Sequence, residues 1–212
     1  MKKQFTLLFA LVLFSIVGFS QISAGLYGNY TSYKGNFAKS TPGVGLEVGY
    51  NLMGSKGAAL SFTKGFAITQ PSTITSSDGL GNTKSTASEI STSFSTISLM
   101  GQYRFIGDDA KGFGLHGRLG GSYVIATTKE TEKEAIPTGY TADDKLESQN
   151  ENGLTINLGL GAQYKFGTPV VFFNGGIALP ANKVNDATVT NYIPAHFTFS
   201  LGVRIGFGES KD

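Results

Sequence analysis

Gly153-Leu154-Thr155-Ile156-Asn157-Leu158-Gly159-Leu160-Gly161-Ala162-Gln163-Tyr164-Lys165-Phe166 decides the fold. Leu154, Ile156, Leu158, Leu160, Ala162, Tyr164 and Phe166 fall on one side, and Gly, Thr, Asn, Gln and Lys fall on the other. A two-residue period is that of a β-strand, whose successive side chains point to opposite faces. One face therefore meets an apolar environment along its whole length, and the other meets small polar groups.

Working outward, the same alternation recurs at His196–Phe207, where Phe197, Phe199, Leu201, Val203, Ile205 and Phe207 oppose His196, Thr198, Ser200, Gly202, Arg204 and Gly206. Further segments span about Ile22–Tyr33, Gly43–Met53, Ala58–Thr69, Ser93–Phe105, Phe113–Thr127 and Val170–Leu179. Eight strands are expected. Gly54–Gly57, Ile106–Gly112 and Gly167–Pro169 join them tightly, while Lys34–Pro42, Gln70–Thr92, Thr128–Asn152 and Pro180–Ala195 are long and polar. Short turns on one side and long loops on the other are the asymmetry of a transmembrane barrel. The short turns and both termini are expected on the periplasmic side.

The composition fits. Charged residues are 15% of the 212, against roughly 25% in soluble domains, and the mean hydropathy is near zero. A soluble barrel would carry Lys, Glu and Arg on its non-core face. Here that face is Gly, Ser, Thr, Asn and Gln, groups suited to the narrow interior of an eight-stranded barrel. The apolar stripe ends beside the short turns in Tyr50, Tyr103, Phe105, Phe113, Tyr164, Phe166 and Phe207, an aromatic girdle. Gln102-Tyr103-Arg104-Phe105 and Gln163-Tyr164-Lys165-Phe166 form a small repeat, each with two aromatics outward and a cation inward.

At the N-terminus, Lys2 and Lys3 precede an apolar run from Phe5 to Phe19, with small Gly18 and Ser20 before Gln21. This reads as a secretory signal peptide over 1–20, leaving 21–212 as one barrel domain. Removing Lys2 and Lys3 from 17 basic residues leaves 15, which balance the 15 acidic ones. A nucleic-acid footprint is therefore not expected. Without cysteine there is no thiol nucleophile, thiolate metal site or disulfide framework.

Ser200-x-Gly202-x-x-Ile205-x-Phe207 resembles the C-terminal β-signal read by the outer-membrane barrel-assembly machinery, although Gly208–Asp212 follow the terminal aromatic. The mature chain resembles the small outer-membrane barrel superfamily of the OmpA transmembrane domain and OmpX. The resemblance implies an all-β, eight-stranded, antiparallel up-and-down transmembrane barrel in a bacterial outer membrane. The expected partners are outer-membrane lipid, lipopolysaccharide and, during biogenesis, the assembly machinery; a monomer is favoured.

Glu47, Arg104, His116, Arg118, Lys165 and Arg204 fall on the inward face and are expected to form a polar lumen network. Glu47 and Arg118 lie at similar depth, and a buried carboxylate needs a cation. Such a network plugs the lumen or gates it. His116 and His196 are the only histidines; Ser122 or Ser200 could serve as a nucleophile, but no motif selects either. No catalytic residue, metal site or cofactor is expected. The reading is a non-enzymatic barrel acting in envelope integrity or through its outer loops. A narrow channel or lateral path for small or hydrophobic solutes is the alternative, and a lipid-modifying enzyme the third.

Three features stand apart. The Thr128–Asn152 loop holds seven acids against three lysines and is expected to be solvated and mobile. Ser72–Ser95 reads as another exposed loop that runs into the fourth strand. Lys64 falls on the lipid stripe, where a midplane Lys costs about 2–4 kcal/mol and an interfacial one much less. It is expected to snorkel, because a bulge near Gly65 would turn Phe66 and Ile68 inward.

Overall fold

A computed structural model describes residues 21–34, 40–51, 55–107, 112–181 and 193–207. The expected signal peptide, parts of the tight turns, and most of the first and last long loops lie outside these residues. Ten strands and no helix are present among them: β1 Gln21–Tyr33, β2 Ser40–Asn51, β3 Lys56–Gly65, β4 Ile68–Ser77, β5 Thr83–Ile106, β6 Gly112–Glu132, β7 Thr141–Ala142, β8 Gln149–Lys165, β9 Pro169–Pro180 and β10 His196–Phe207.

Eight of the ten form a ring. All neighbours are antiparallel, in the order β3-β2-β1-β10-β9-β8-β6-β5, and β3 pairs with β5 to close it. Each strand of the ring is hydrogen-bonded on both sides, so the ring has no free edge. Registers run unbroken over long stretches, from Ile22↔Phe207 to Tyr33↔His196 and from Gly112↔Lys165 to Thr128↔Gln149.

Closure sorts the side chains. Leu26, Leu46, Leu60, Leu99, Leu119, Leu160 and Leu201 all point out and are more than half exposed. Large apolar residues uncovered around a whole circumference need hydrocarbon, not water, as their neighbour. At the short-turn end Tyr103, Phe105, Phe113, Tyr164, Phe166 and Phe207 also lie outward and exposed, with Tyr50 half-buried.

The inward face is filled by a pairing of large and absent side chains. A Cβ on Gly45 would overlap the Tyr27 ring, and one on Gly202 would stand 2.5 Å from Tyr27 Cβ and 2.7 Å from Phe172 Cζ.

The structure corrects three expectations. The segment from Ser72 to Thr92 is not a loop, because β4 and the first half of β5 form a hairpin that continues past the ring, paired from Ile68↔Thr92 to Ser77↔Thr83. β6 likewise runs on to Glu132 beside it. Ala58–Thr69 is not one strand. Four steps from Lys64 to Ile68 match three from Ser95 to Thr92, so one extra residue enters after Gly65. Lys64 stays outward, its Nζ 3.0 Å from Ser95 Oγ and 3.4 Å from Ser93 Oγ. Phe66 also remains outward, and only Ile68 turns in, against the inner apolar cluster.

Gly45→Val would displace Tyr27 and its 2.6 Å hydrogen bond to Thr63 Oγ1. Urea unfolding in lipid vesicles is expected to show a loss of about 1–3 kcal/mol. Tyr27→Ala in the same chain should recover part of that loss, giving a measurable coupling in a double-mutant cycle.

Candidate functional site in the lumen and the long-loop arm

Glu47 on β2 and Arg204 on β10 both flank Gly25 of β1. A Cβ on Gly25 would stand 2.8 Å from Arg204 Cβ, so the glycine leaves the path between them open. Arg204 Nη1 lies 3.4 Å from Glu47 Oε1, and Arg118 Nη2 on β6 donates to Oε2 at 2.7 Å. The side chains of Glu47, Arg118 and Arg204 are 3%, 9% and 12% exposed. One carboxylate is thus shared by two guanidinium groups, with an excess positive charge held in the lumen. Arg204 also donates through Nη2 to Gln163 Oε1 and lies over the Phe172 ring, 5.4 Å from its centroid. His116 Nε2 is 2.9 Å from Asn174 Oδ1; with a carbonyl oxygen as partner, Nε2 is the donor.

Above this clamp, Ser122 donates to Ser98 at 2.7 Å and receives the amide of Asn157. A cavity of about 120 Å³ lies at this level, lined by Tyr27, Ser61, Thr96, Met100 and Thr198 among others. At the long-loop end the lumen becomes apolar. Tyr33 stacks on Phe94 with centroids 4.2 Å apart, and Val124, Ala126 and Ile193 bury themselves against them. His196 joins this end, 5.0 Å from the Tyr33 ring, with Nδ1 3.0 Å from Pro194 O.

The structure therefore brings Glu47, Arg118 and Arg204 together, with His116 beside them on β6. Arg104 and Lys165 sit lower, half-buried at the short-turn mouth. His116 and His196 occupy opposite ends of the lumen, and Ser122 is bonded to Ser98 and Asn157 rather than to a histidine. Of the β-signal residues, Ser200 and Gly202 face the lumen and Ile205 and Phe207 face out. Tyr27, Phe172 and Asn174 are lumen residues missing from the set expected on sequence, although strand parity marks all three as inward. Ile193 lies outside any strand, and no periodic signal could find it.

The β4–β5–β6 arm carries the second site. Its inner face, with Ile74, Ser76, Thr86 and Ser88, is buried. The segment after β6 folds back upon it. Asp143 N donates to Thr75 O at 2.9 Å, and Thr75 N donates to Asp144 Oδ1 at 2.7 Å. Ser77 Oγ donates to Asp143 Oδ1 at 2.8 Å, and Lys145 pairs with Glu132 at 2.5 Å. Glu130 accepts from Ser88 Oγ at 2.5 Å and from Leu146 N at 2.9 Å. Lys84 Nζ lies 4.9 Å from the Tyr140 ring centroid. The acidic segment expected to be a mobile loop is a fastened cover. Many of its acids are acceptors for specific donors.

A closed eight-stranded ring with an apolar belt outside and a polar inner face defines a transmembrane β-barrel of the outer-membrane type. No family model and no curated protein matches the chain. Among solved structures it is similar to a major outer membrane protein from Thermus thermophilus, at 15% identity, 88% of this chain, 99% of that one and a TM-score of 0.57. It is similar to the N-terminal β-barrel domain of Pseudomonas aeruginosa OprF at 17% identity, 87% and 97% coverage and a TM-score of 0.52. Neisserial surface protein A gives 14%, 89%, 97% and 0.50. The chain has the OmpA/OmpX-like fold of the small barrels of the bacterial outer membrane.

Two outcomes follow. Glu47→Ala leaves two buried guanidinium groups sharing no carboxylate and should destabilise the barrel by about 3 kcal/mol in urea titrations, whereas Arg104→Ala at the mouth should cost less. In the arm, the Ser88 hydroxyl first, and then the Leu146 N–H, hold the Glu130 carboxyl below the usual carboxylate range. A lowered folded-state pKa stabilises above the unfolded value and is lost as pH falls through the folded one. Protection of the Leu146 amide from hydrogen exchange should therefore hold at neutral pH and decline below pH 4.5, and Glu130→Gln should remove that pH dependence.

Proposed function

We propose that this protein is a non-enzymatic outer-membrane barrel with a plugged lumen, acting through its folded arm at the cell surface and contributing to envelope integrity. In this orientation the short turns and both termini face the periplasm, after export by a signal peptide over 1–20. The observation that carries the reading is the filling of the lumen at two levels, by the Glu47–Arg118–Arg204 clamp and by the Tyr33–Phe94–Ile193 cluster. Removing either level alone leaves the other. The commitment of Ser122 to Ser98 and of His116 to Asn174 supports a non-enzymatic role. The apolar belt suits outer-membrane lipid and lipopolysaccharide, with Lys64 and its serines at the long-loop rim. Ser200, Gly202, Ile205 and Phe207 would be read by the assembly machinery.

Planar-bilayer recording separates this reading from a narrow channel. The plugged barrel predicts no steady unitary conductance from the native protein, and none from Glu47→Gln, because the apolar cluster remains. Steady openings in the native protein, or openings created by Glu47→Gln alone, would establish the channel instead, with Glu47 as its gate.

A further inference from the structure

We propose that the long-loop rim of the lipid-facing wall holds the phosphate of an anionic lipid headgroup, with Lys64 as its cation and Ser93 and Ser95 as further donors. This deepens the reading of the apolar belt as a lipid contact and rests on it.

The belt ends here over two rows of the outer face. Phe62, Ile97, Tyr123 and Leu154 pair in one row across β3, β5, β6 and β8, and all four are exposed. The next row carries Lys64, Ser95, Ile125 and Asn152, and the one beyond it carries Ser93, Thr127 and Asn150. Thr127 Oγ1 donates to Asn150 Oδ1 at 2.8 Å, which leaves the Asn150 amide as a donor to the rim. Lys64 thus stands where apolar side chains give way to hydroxyls and amides.

Its surroundings orient the ammonium without neutralising it. Lys64 Nζ donates to Ser95 Oγ at 3.0 Å and to Ser93 Oγ at 3.4 Å, and among the described residues no carboxylate pairs with it. Each serine accepts from Lys64, so its own O–H is left to donate in turn. The nearest outward acid on these strands, Glu89, lies further from the belt and is paired with Lys133 at 2.8 Å. An ammonium flanked by two hydroxyls presents several donors to one oxyanion, and bonds from a charged donor to phosphate are the stronger kind. A lysine near an anionic lipid surface is attracted to it. Position selects a lipid over a free ion. The site faces away from the lumen, directly above the apolar row, so a lipid sets its phosphate on the donors and its acyl chains on Ile97 and Phe62. A soluble phosphate gains the donors alone.

The chain has no tryptophan, so Ile97→Trp supplies a reporter one row below Ser95, and Leu201→Trp on β10 a control opposite β5 in the ring. The full chain is placed in phosphatidylcholine vesicles with a minor share of phosphatidylglycerol, and bromine on the acyl chains of either lipid quenches the tryptophan it touches. Brominated phosphatidylglycerol should quench Ile97→Trp as though enriched about fivefold, the advantage of one lysine beside an anionic lipid. It should quench Leu201→Trp only in proportion to its share. Adding Lys64→Gln should abolish the enrichment, and adding Ser93→Ala/Ser95→Ala should lower it with the charge still present. Heat-modifiable gel migration checks that each variant is folded. Absence of enrichment, equal enrichment at both reporters, or enrichment that survives Lys64→Gln would overturn the proposal. Enrichment untouched by the serine pair would reduce the site to a bare charge, and enrichment abolished by inorganic phosphate at constant ionic strength would assign it to a free ion; either overturns it. Quenching of Ile97→Trp by brominated phosphatidylcholine tests the belt by itself, so a belt without lipid and a rim without a site give different results.

Discussion

In hydrocarbon there is no water to satisfy a strand edge, so a sheet that crosses a bilayer must close on itself. The pairing of β3 with β5 is that closure, and the rest of the molecule depends on it. It fixes eight strands around the lumen, and an eight-stranded circumference leaves an interior that side chains alone can fill. The apolar belt and the small-residue inner face are then two sides of one requirement. Each inward position must fit a volume set by the ring, and each outward one must suit lipid.

The lumen shows how that volume is shared. Tyr27 and Phe172, with rings 6.2 Å apart and edge to face, occupy space left by Gly45 and Gly202. The ionic clamp is more costly in principle than an apolar filling, since burying charge carries a desolvation penalty that pairing offsets only in part. Its geometry keeps the penalty down. Glu47 uses both oxygens on cations, Arg204 gains Gln163 and the Phe172 face, and the cavity of about 120 Å³ leaves room for water beside Arg118, whose Nε lacks a partner among the described residues.

What was legible in the sequence follows from the same contrast. Inside the bilayer, lipid on one face and a crowded lumen on the other force strict alternation, so Gly153–Phe166 and His196–Phe207 read as strands. The depth of Glu47 and Arg118 can be counted from the turns. Beyond the bilayer the outer face meets water and the inner face is buried with Ser and Thr as well as Ile74 upon it, so the contrast fades. Ser72–Thr92 is Ser and Thr on either side, yet its backbone pairs as well as any in the ring. The acidic segment after β6 reads as solvated because net charge does not record which donors its carboxylates find. Strand parity places Lys64 outward, where it is found, but the case against an extra residue after Gly65 assumes that it must turn Phe66 as well as Ile68. The break falls between those two residues, and parity carries no information about where within a short span an insertion sits.

The arm meets the edge problem again under different physics. β5 and β6 run 24 and 21 residues without interruption, so the arm is one continuous sheet with the barrel wall. In water its outermost strand, β4, can stay open, but an open edge invites pairing with other chains. Three local devices blunt it. Pro71 has no N–H to offer, β7 pairs with Ser76 and Ser77, and Asp144 takes the N–H of Thr75. The acids that read as a charged loop are thus partly edge protection. What the closed ring achieves in lipid by strand pairing, the arm achieves in water with a proline and carboxylates.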